Sequence, residues 1–262
     1  MVKFYSTHYT YDYSFPAVSL AYFLRYPNPY STHVRSTDTI SRSFDAITGT
    51  LTTTRLHLKR SKLPSAVLKL LPRSLLGSSA SGDSQTYILE TSKVNVREGW
   101  METESRNLEW TGVLSVIERQ TYTRIPQNAE VQQQHRMTDM VAGSKQALPT
   151  PSPTDQTDVT TTVQLVSALG QPKFRRSRKL ATEESGEEPV EKQSFFKTWS
   201  TAGLRRSIES IGLRRAEKSQ PNAKRGMGVV LERLREGGLV AVLEGMRRDR
   251  ESDMAPLGHG KH

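Results

Sequence analysis

The sequence contains no cysteine, and this absence excludes disulfide bonds and thiolate chemistry. Long hydrophobic runs are missing too, because no stretch approaches the roughly 18 apolar residues that a helix needs to span a bilayer. The six histidines are scattered, without the His and carboxylate spacing of a metal site, and there is no glycine-rich phosphate loop. We therefore predict a protein without a metal or a cofactor.

Hydrophobic residues make up only 35% of the chain, which is low for a fully compact fold. Positive charge is in excess, with 37 Lys and Arg against 27 Asp and Glu, a net charge of +10. This balance favours a polyanionic partner: nucleic acid, an anionic membrane surface or a phosphorylated small molecule. The start of the chain lacks the features of a secretory signal or a cleavable transit peptide, so we expect a soluble protein that enters any organelle without a conventional presequence.

Runs rich in β-branched and aromatic residues predict a meander of about seven strands. Thr48-Gly49-Thr50 predicts a hairpin between the second and third strands. The predicted strands are 2–13, 33–45, 50–59, 85–97, 100–110, 112–124 and 158–169.

Two segments have helical patterns. Residues 15–24 are almost all apolar, with Pro16 in the first turn, and predict a short buried helix. Helical periodicity returns at Ser194, and residues 194–235 carry ten Lys and Arg against three Glu, a net +7. Pro221 is expected to break or kink this helix, and residues 237–262 to form a flexible tail. The pattern predicts an α+β half-barrel that can hold a cavity, formed by one domain over residues 1–236.

Three segments interrupt this pattern. Low-complexity composition predicts disorder over 126–157 and 171–192. Residues 62–77 are too apolar for an ordinary loop and predict a lid over the cavity. The lid residues are Leu63, Pro64, Val67, Leu68, Leu71 and Leu75.

Basic residues are the strongest candidates for a binding site. Arg25 ends the apolar helix, where a guanidinium needs a carboxylate or phosphate partner or else stabilises the helix C-terminus. A period of two places Arg55, His57 and Lys59 on one strand face, which is a solvated face or part of a basic site. No Ser or Asp stands in a triad context around His33, so we expect no catalytic residue and no enzymatic activity.

Six ordered elements resemble a known family. They are Arg25-Tyr-Pro-Asn-Pro-Tyr-Ser-Thr-His-Val34, Asp38-Thr-Ile-Ser-Arg42, Thr53-Thr-Arg-Leu56, Lys62-Leu-Pro64, Arg106-Asn-Leu-Glu-Trp-Thr-Gly112 and Asn222-Ala-Lys-Arg-Gly226. Over about 1–125 and 194–236, the chain resembles the PRELI-like (Ups) family of mitochondrial lipid-transfer proteins. The Tyr-Ser-x-His continuation is similar to the phosphatidic-acid branch. The chain departs from the family pattern in its long insertions and in Pro221.

The resemblance implies a START-like half-barrel with a lid, which carries phosphatidic acid across the mitochondrial intermembrane space and supports cardiolipin synthesis. It also implies peripheral membrane binding and a small twin Cys-x9-Cys helical-hairpin partner. By position, Arg25 would meet the lipid phosphate, and the other head-group residues would be His33, Lys59, Lys62, Asn222, Lys224 and Arg225.

Membrane docking is expected from arginines that can cluster along one side of the C-terminal helix: Arg205, Arg206, Arg214 and Arg215. Three alternatives stay open. The same fold could carry phosphatidylserine, or the chain could be a START-like hydrolase that uses His33. A basic mitochondrial RNA-binding protein would also fit the charge, but the strands lack RRM-type aromatic signatures, so no nucleic acid is expected.

Overall fold

In the residues that the structure describes, the fold consists of a seven-stranded sheet and two helices. The computed structural model describes residues 2–62, 83–111, 113–125, 155–167 and 192–254, and at 61, 62, 83, 84, 192–202, 253 and 254 it describes the backbone alone. The elements are β1 (Val2–Tyr11), α1 (Phe15–Leu24), β2 (Val34–Asp45), β3 (Thr50–Lys62), β4 (Asp83–Asn95), β5 (Trp100–Asn107), β6 (Ser115–Arg124), β7 (Thr157–Val166) and α2 (Lys192–Met254).

The sheet is antiparallel throughout, in the order β1-β7-β6-β5-β4-β3-β2. Because β1 and β2 lie at opposite edges, the connection that contains α1 has to cross one face of the sheet. We call this the concave face. The predicted α+β half-barrel, its number of strands and both helices are confirmed.

The apolar sequence of α1 is explained by its position across the concave face. Phe15, Val18, Ala21 and Tyr22 are fully buried, and only Leu20 among the larger apolar side chains of α1 is exposed. The helix packs between the sheet and α2 in one hydrophobic cluster. Its buried members from the other elements are Tyr11, Val94, Met101, Tyr122, Val159, Met227, Val230, Leu231 and Val242.

The predicted β2–β3 hairpin is confirmed. Gly49 adopts φ +70° in the turn and donates its N–H to the Asp45 carbonyl at 2.8 Å. A side chain is strained at such a φ, whereas glycine adopts it readily. The Asp45 carboxylate closes the turn by accepting hydrogen bonds from the Ile47 N–H at 2.9 Å and the Thr48 hydroxyl at 2.8 Å.

Helix α2 continues through Pro221 and changes direction elsewhere, at Gly237 and Gly238. The predicted break at Pro221 is wrong, because only those two glycines have non-helical backbone angles inside α2. Pro221 and Glu217, whose carbonyl loses its helical hydrogen bond, are both exposed, so water can satisfy that carbonyl. We call residues 192–236 the first arm and residues 239–254 the second arm.

The second arm corrects a further expectation, since residues 239–254 are helical where we predicted a frayed tail. Val242 is fully buried in the core, which gives this segment an apolar anchor. Arg233 of the first arm binds Asp249 of the second through two hydrogen bonds of 2.7 and 3.2 Å. Sixteen residues of continuous helix would separate these side chains by about 24 Å, so the second arm folds back on the first.

Several predictions fall outside the described residues. They are the lid residues Leu63, Pro64, Val67, Leu68, Leu71 and Leu75, and all but the end residues of the segments 126–157 and 171–192. Within the part of the chain that the structure describes, neither helix has the length and apolar character required to cross a membrane.

Candidate functional site

A buried ionic cluster lies on the concave face beside the end of α1. Arg55 of β3 stands opposite Glu90 of β4 in the sheet register, so their side chains point to the same face. Glu90 accepts a hydrogen bond from Arg55 Nε at 2.9 Å, forms an ion pair with Arg25, and lies 3.2 Å from His57 Nε2. We call Arg25, Arg55, His57 and Glu90 the Glu90 cluster.

The Glu90 cluster carries a net positive charge. Burial alone would raise the pKa of Glu90, but Arg25, His57 and Arg55 together hold it well below its ordinary value. Glu90 is therefore ionised. Burial lowers the pKa of His57, and Glu90 offsets this effect only in part, so the imidazole is neutral at pH 7. Two guanidiniums thus share one carboxylate, which leaves one positive charge in excess.

The same arginines fix the C-terminal end of α1. Arg25 donates to the Tyr22 carbonyl at 2.8 Å, and Arg55 donates to the Phe23 carbonyl at 3.0 Å. The Arg25 guanidinium also lies 3.7 Å from the Tyr22 ring centroid and 4.7 Å from that of Tyr26. The sequence predicted an anionic partner or a helix C-terminus for Arg25, and the structure provides both.

One predicted alternative is wrong. We allowed that Arg55 and His57 lie on a solvated strand face, but they are buried, with 3% and 1% of each residue exposed. The polar face of β3 points inward because α1 and β4 supply hydrogen-bond partners there. The hydrocarbon side chains of Leu56 and Leu58 lie on the other face.

A second basic group consists of His33, Lys59 and Arg215, and we call it the cationic rim. The Arg60 N–H donates to the His33 carbonyl at 2.8 Å, which holds His33 next to the end of β3. Burial, followed by the positive charges of Lys59 and Arg215, lowers the pKa of His33 to about 4. His33 is therefore neutral at pH 7 although its surface reaches solvent.

Lys59 connects the cationic rim, to which it belongs, with the surroundings of the Glu90 cluster. Burial alone would raise the pKa of Tyr26, but the charges of Arg25 and Lys59 lower it. Lys59 therefore acts on Tyr26 as well as on His33. Arg25, His33 and Lys59 therefore lie in one region of the structure, and Arg215, which we had assigned to membrane docking, lies there as well.

A pocket of about 260 Å³ opens beside these groups. It is lined by three arginines, by one serine and two threonines, and by four apolar or aromatic residues. The lining residues are Arg42, Arg55, Arg250, Ser36, Thr37, Thr39, Phe23, Tyr26, Val34 and Met246. Arg55, Phe23 and Tyr26 also contact the Glu90 cluster or belong to it, so the pocket and the cluster form one site.

The predicted residues of α2 are only partly gathered into this site. Lys224 Nζ lies 4.8 Å from the ring centroid of Tyr9 on the inward-facing side of β1. Asn222 and Arg225 are exposed, and neither side chain makes a hydrogen bond or ion pair with another described residue. Of the docking arginines, Arg206 and Arg214 are exposed and Arg205 is half-buried. Lys62 ends β3, and its side chain lies outside the described part of the structure.

Two of the sequence elements that carry the family resemblance touch each other. A Cβ atom at Gly226 of α2 would come within 2.6 Å of Asn28 Oδ1, so glycine is needed for the helix to approach this closely. The Asn28 amide donates to the Arg25 carbonyl, and its oxygen accepts the Tyr30 N–H at 2.8 Å. Gly226 and Asn28 thus dock α2 on the turn that follows Arg25.

Sequence reasoning missed Glu90, Arg42 and Arg250. Residues 87–89 are apolar on both strand faces, so alternation alone does not predict which way Glu90 points. Its pairing with Arg55 depends on the register of β3 against β4, which a segment of about twenty residues separates. Arg250 lay in the predicted tail. Among the described residues, no group of three or more His, Asp or Glu is placed to hold a metal ion.

Comparison with known proteins supports the resemblance. The protein named UPS1, mitochondrial, of Saccharomyces cerevisiae is 43% identical over 122 residues, which cover 47% of this chain and 64% of that protein. The ups1 homolog of Schizosaccharomyces pombe is 37% identical over 45% of this chain and 60% of its own length. A UPS-like protein of the same species is 32% identical over 55% of this chain and 73% of its own length.

The chain thus spans less than two thirds of the first two relatives. A model of the PRELI-like family matches residues 16–147, which include β2 to β6 and most of α1. The match contains every residue of the Glu90 cluster. Because it covers half of the sequence, and because one relative is matched over almost three quarters of its length, the chain belongs to the PRELI-like family.

Proposed function

We propose that this protein binds one phosphatidic acid molecule and carries it between the outer and inner mitochondrial membranes, without changing it chemically. The observation that carries the proposal is the excess positive charge of the Glu90 cluster beside a pocket. Buried charge needs a partner, and a phosphate can provide a second anion for Arg25 and Arg55. Arg25 keeps 16% of its side chain exposed, against 4% for Arg55, so Arg25 is the better placed of the two.

The cationic rim supplies the remaining head-group contacts of the proposal. Lys59 and Arg215 lie near His33, and their positive charges disfavour protonation of its imidazole. A phosphate bound there would offset the charges of Lys59 and Arg215 and would make protonation of His33 more favourable. We further propose that Lys62, Asn222, Lys224 and Arg225 contribute from the edges of the site.

The lipid tails set a second requirement. A diacyl lipid has about 30 methylenes, and at ~0.8 kcal/mol each their exposure to water would cost on the order of 20 kcal/mol or more. The described pocket of about 260 Å³ suits a head group and not two acyl chains. We propose that the lid at 62–77 and the concave face enclose the chains, or that the chains stay partly in the membrane.

Location and partners follow from the same proposal. One relative is named as mitochondrial, which supports a mitochondrial location. We further propose action in the intermembrane space and a role in cardiolipin synthesis. The exposed Arg206 and Arg214 would attract an anionic membrane, together with Arg205 and Arg215. A small twin Cys-x9-Cys helical-hairpin protein would stabilise the chain and assist its import.

Phosphatidylserine is the second candidate cargo. Its head group adds an ammonium, which needs an acidic partner in a sheltered site. In the part of the site that the structure describes, two arginines and His57 already surround Glu90, and Asp38 accepts a hydrogen bond from the pocket residue Ser36 at 3.4 Å. This arrangement favours phosphatidic acid.

Transfer between liposomes tests the proposal. Donor vesicles would contain phosphatidic acid, phosphatidylserine or phosphatidylcholine, and we expect the fastest transfer for phosphatidic acid. Lys59→Glu should slow this transfer by about tenfold or more, because it replaces a charge-assisted contact with repulsion. Lys93→Glu is the matched control, since Lys93 is an exposed lysine on the neighbouring strand.

Circular dichroism would establish that both variants are folded. Equal transfer rates for Lys59→Glu and Lys93→Glu would show that the cationic rim does not contribute to head-group binding. Equal transfer of all three lipids, or transfer of none, would contradict the proposed cargo. Mass spectrometry of lipids that copurify with the protein gives an independent readout, because an RNA-binding protein would retain nucleic acid instead.

A further inference from the structure

The second arm belongs to the wall of the pocket. Met246 and Arg250 line it opposite residues of β2 and β3, although the family match ends at residue 147. Val242 anchors the arm in the core, four residues before Met246. The arm is therefore a feature of this chain that lies outside the matched family region and yet reaches the site.

Specific contacts hold the arm in this position. Gly238 adopts φ +62°, a backbone conformation that favours glycine, where the chain reverses. Asp249 binds Arg233 with both carboxylate oxygens, and the two side chains are 12% and 18% exposed. A Cβ at Gly245 would lie 2.5 Å from the Arg233 guanidinium, so this glycine makes the space that the ion pair needs. Arg250 directly follows Asp249, so the ion pair also fixes its location.

The side chains around Arg250 have the composition of an anion site. Arg42 of β2 lines the same pocket, and neither arginine pairs with an acidic side chain among the described residues. The Thr39 hydroxyl adds a hydrogen-bond donor, whereas the Ser36 hydroxyl already donates to the Asp38 carboxylate at 3.4 Å. Phe23, Val34 and Met246 add an apolar wall. Two unpaired guanidiniums, a hydroxyl and apolar carbon together match an anionic amphiphile.

We propose that the second arm is part of the ligand site, in which Met246 covers the bound molecule and Arg250, with Arg42, binds anionic oxygens of a phosphate-bearing head group. The identity of the ligand as a lipid cargo rests on the proposed function, whereas the location of the site does not. The arm thus extends the head-group site beyond the Glu90 cluster and the cationic rim.

The absence of cysteine gives a direct test. Met246→Cys places a single thiol in the pocket, and Leu243→Cys places one on the exposed side of the same arm. Each thiol would be modified with a maleimide in the presence of dioctanoyl phosphatidic acid, dioctanoyl phosphatidylcholine or inorganic phosphate. Ligand at roughly ten times its Kd should slow the Met246→Cys reaction about tenfold, because only the free protein reacts. The Leu243→Cys rate should not change.

A second variant tests Arg250 itself. In the Met246→Cys background, Arg250→Gln should weaken protection by phosphatidic acid by about tenfold in Kd, since it removes a charge-assisted hydrogen bond. Arg247→Gln is the control, because Arg247 is an exposed arginine on the same arm. Circular dichroism before labelling would show that each variant is folded.

The outcomes separate the two proposals. Protection without lipid transfer would support the site and contradict the proposed function. Lipid transfer without protection of Met246→Cys by any probe would contradict the proposed site in the second arm. Faster labelling of Met246→Cys in the presence of ligand would also contradict it, because it would show that the ligand displaces the second arm from the pocket. Protection by inorganic phosphate as well as by phosphatidic acid would support an anion site that recognises free phosphate too. Equal Kd values for phosphatidic acid in Arg250→Gln and Arg247→Gln would show that Arg250 does not bind the ligand.

Discussion

Two groups of basic side chains lie next to each other, and they differ in what balances their charge. In the Glu90 cluster, Arg25 and Arg55 contact a buried carboxylate and the carbonyls at the end of α1. In the cationic rim, Lys59 and Arg215 lower the pKa of His33, which is the effect of positive groups that face one another. The first group surrounds a buried carboxylate and keeps one positive charge in excess, whereas the second supplies further cationic contacts to the phosphate in the function that we propose.

The difference indicates a division of roles. Removing a charge from the Glu90 cluster leaves a buried partner uncompensated and therefore affects folding. Removing a charge from the cationic rim should relieve repulsion on His33 and, under the proposed function, should weaken ligand binding instead. The following predictions test this division, in order of decreasing effect on stability or affinity.

Glu90→Gln is expected to have the largest effect. It leaves two buried guanidiniums without their carboxylate, and breaking a buried ion pair in this way costs about 3–5 kcal/mol of unfolding free energy. Urea denaturation would measure the loss. Glu104→Gln is the matched control, because Glu104 pairs with Arg119 on an exposed strand face and its loss should cost about 1 kcal/mol or less. Similar losses in the two variants would show that the Glu90 cluster is not a buried ionic centre.

Gly226→Ala should lower stability by about 1–3 kcal/mol, because its methyl group would overlap the buried Asn28 amide. Gly228→Ala, two residues further along the same helix, meets nothing within 4 Å and should raise stability by about 0.5–1 kcal/mol. Thermal denaturation of both variants would show opposite shifts of Tm. Shifts of the same sign would mean that α2 does not dock tightly on the turn after Arg25.

Arg206→Gln combined with Arg214→Gln should weaken binding to anionic vesicles by about 1 kcal/mol for each charge, without a change in fold. Flotation across lipid compositions would measure this loss. It should shrink as salt rises from 0.1 to 1 M, because the screening length falls from about 10 to about 3 Å. Binding of the unmodified protein that is equal on neutral and anionic vesicles at low salt would contradict electrostatic docking.

His33 gives the finest test, because its pKa reports on the cationic rim directly. The folded-state pKa of about 4 lies below the ordinary value of 6.5, so the folded protein binds fewer protons between these values. The contribution of His33 to stability is therefore complete above pH 6.5 and is lost as pH falls toward 4. Dioctanoyl phosphatidic acid should raise the pKa of His33, because its phosphate offsets Lys59 and Arg215.

NMR titration with labelled histidine would follow this change, with His33→Gln to assign the signal. His57, whose partners are Glu90 and Thr37, gives a separate signal from the Glu90 cluster. A lipid that shifts His57 and leaves His33 unchanged would place the phosphate in the Glu90 cluster alone.

Much of the fold could be predicted from local pattern, but the site could be predicted only in part. Residues 15–24 are apolar on every side, which predicts a buried helix, and Thr48-Gly49 predicts a turn. Arg25 was predicted because a guanidinium beside apolar sequence needs a partner. Its partner Glu90 depends on strand register, which no local pattern contains. Pro221 misled because a helix tolerates proline where the freed carbonyl meets water, and the real reversal lies at Gly237 and Gly238.

The pairing of β1 with β7 has a consequence for how the chain acquires its structure. Strands β2 to β6 each pair with the next strand in sequence, but Val2 lies opposite Val166 and Tyr11 opposite Thr157. Contacts so distant in sequence form slowly, because a long loop must close before they do. The first strand to be synthesised therefore has no partner in the sheet until β7 has emerged. Arg25, Arg55, His57 and Glu90 all precede residue 91, yet within the described sheet the strand that leads into α1 pairs with residues 157–166 alone.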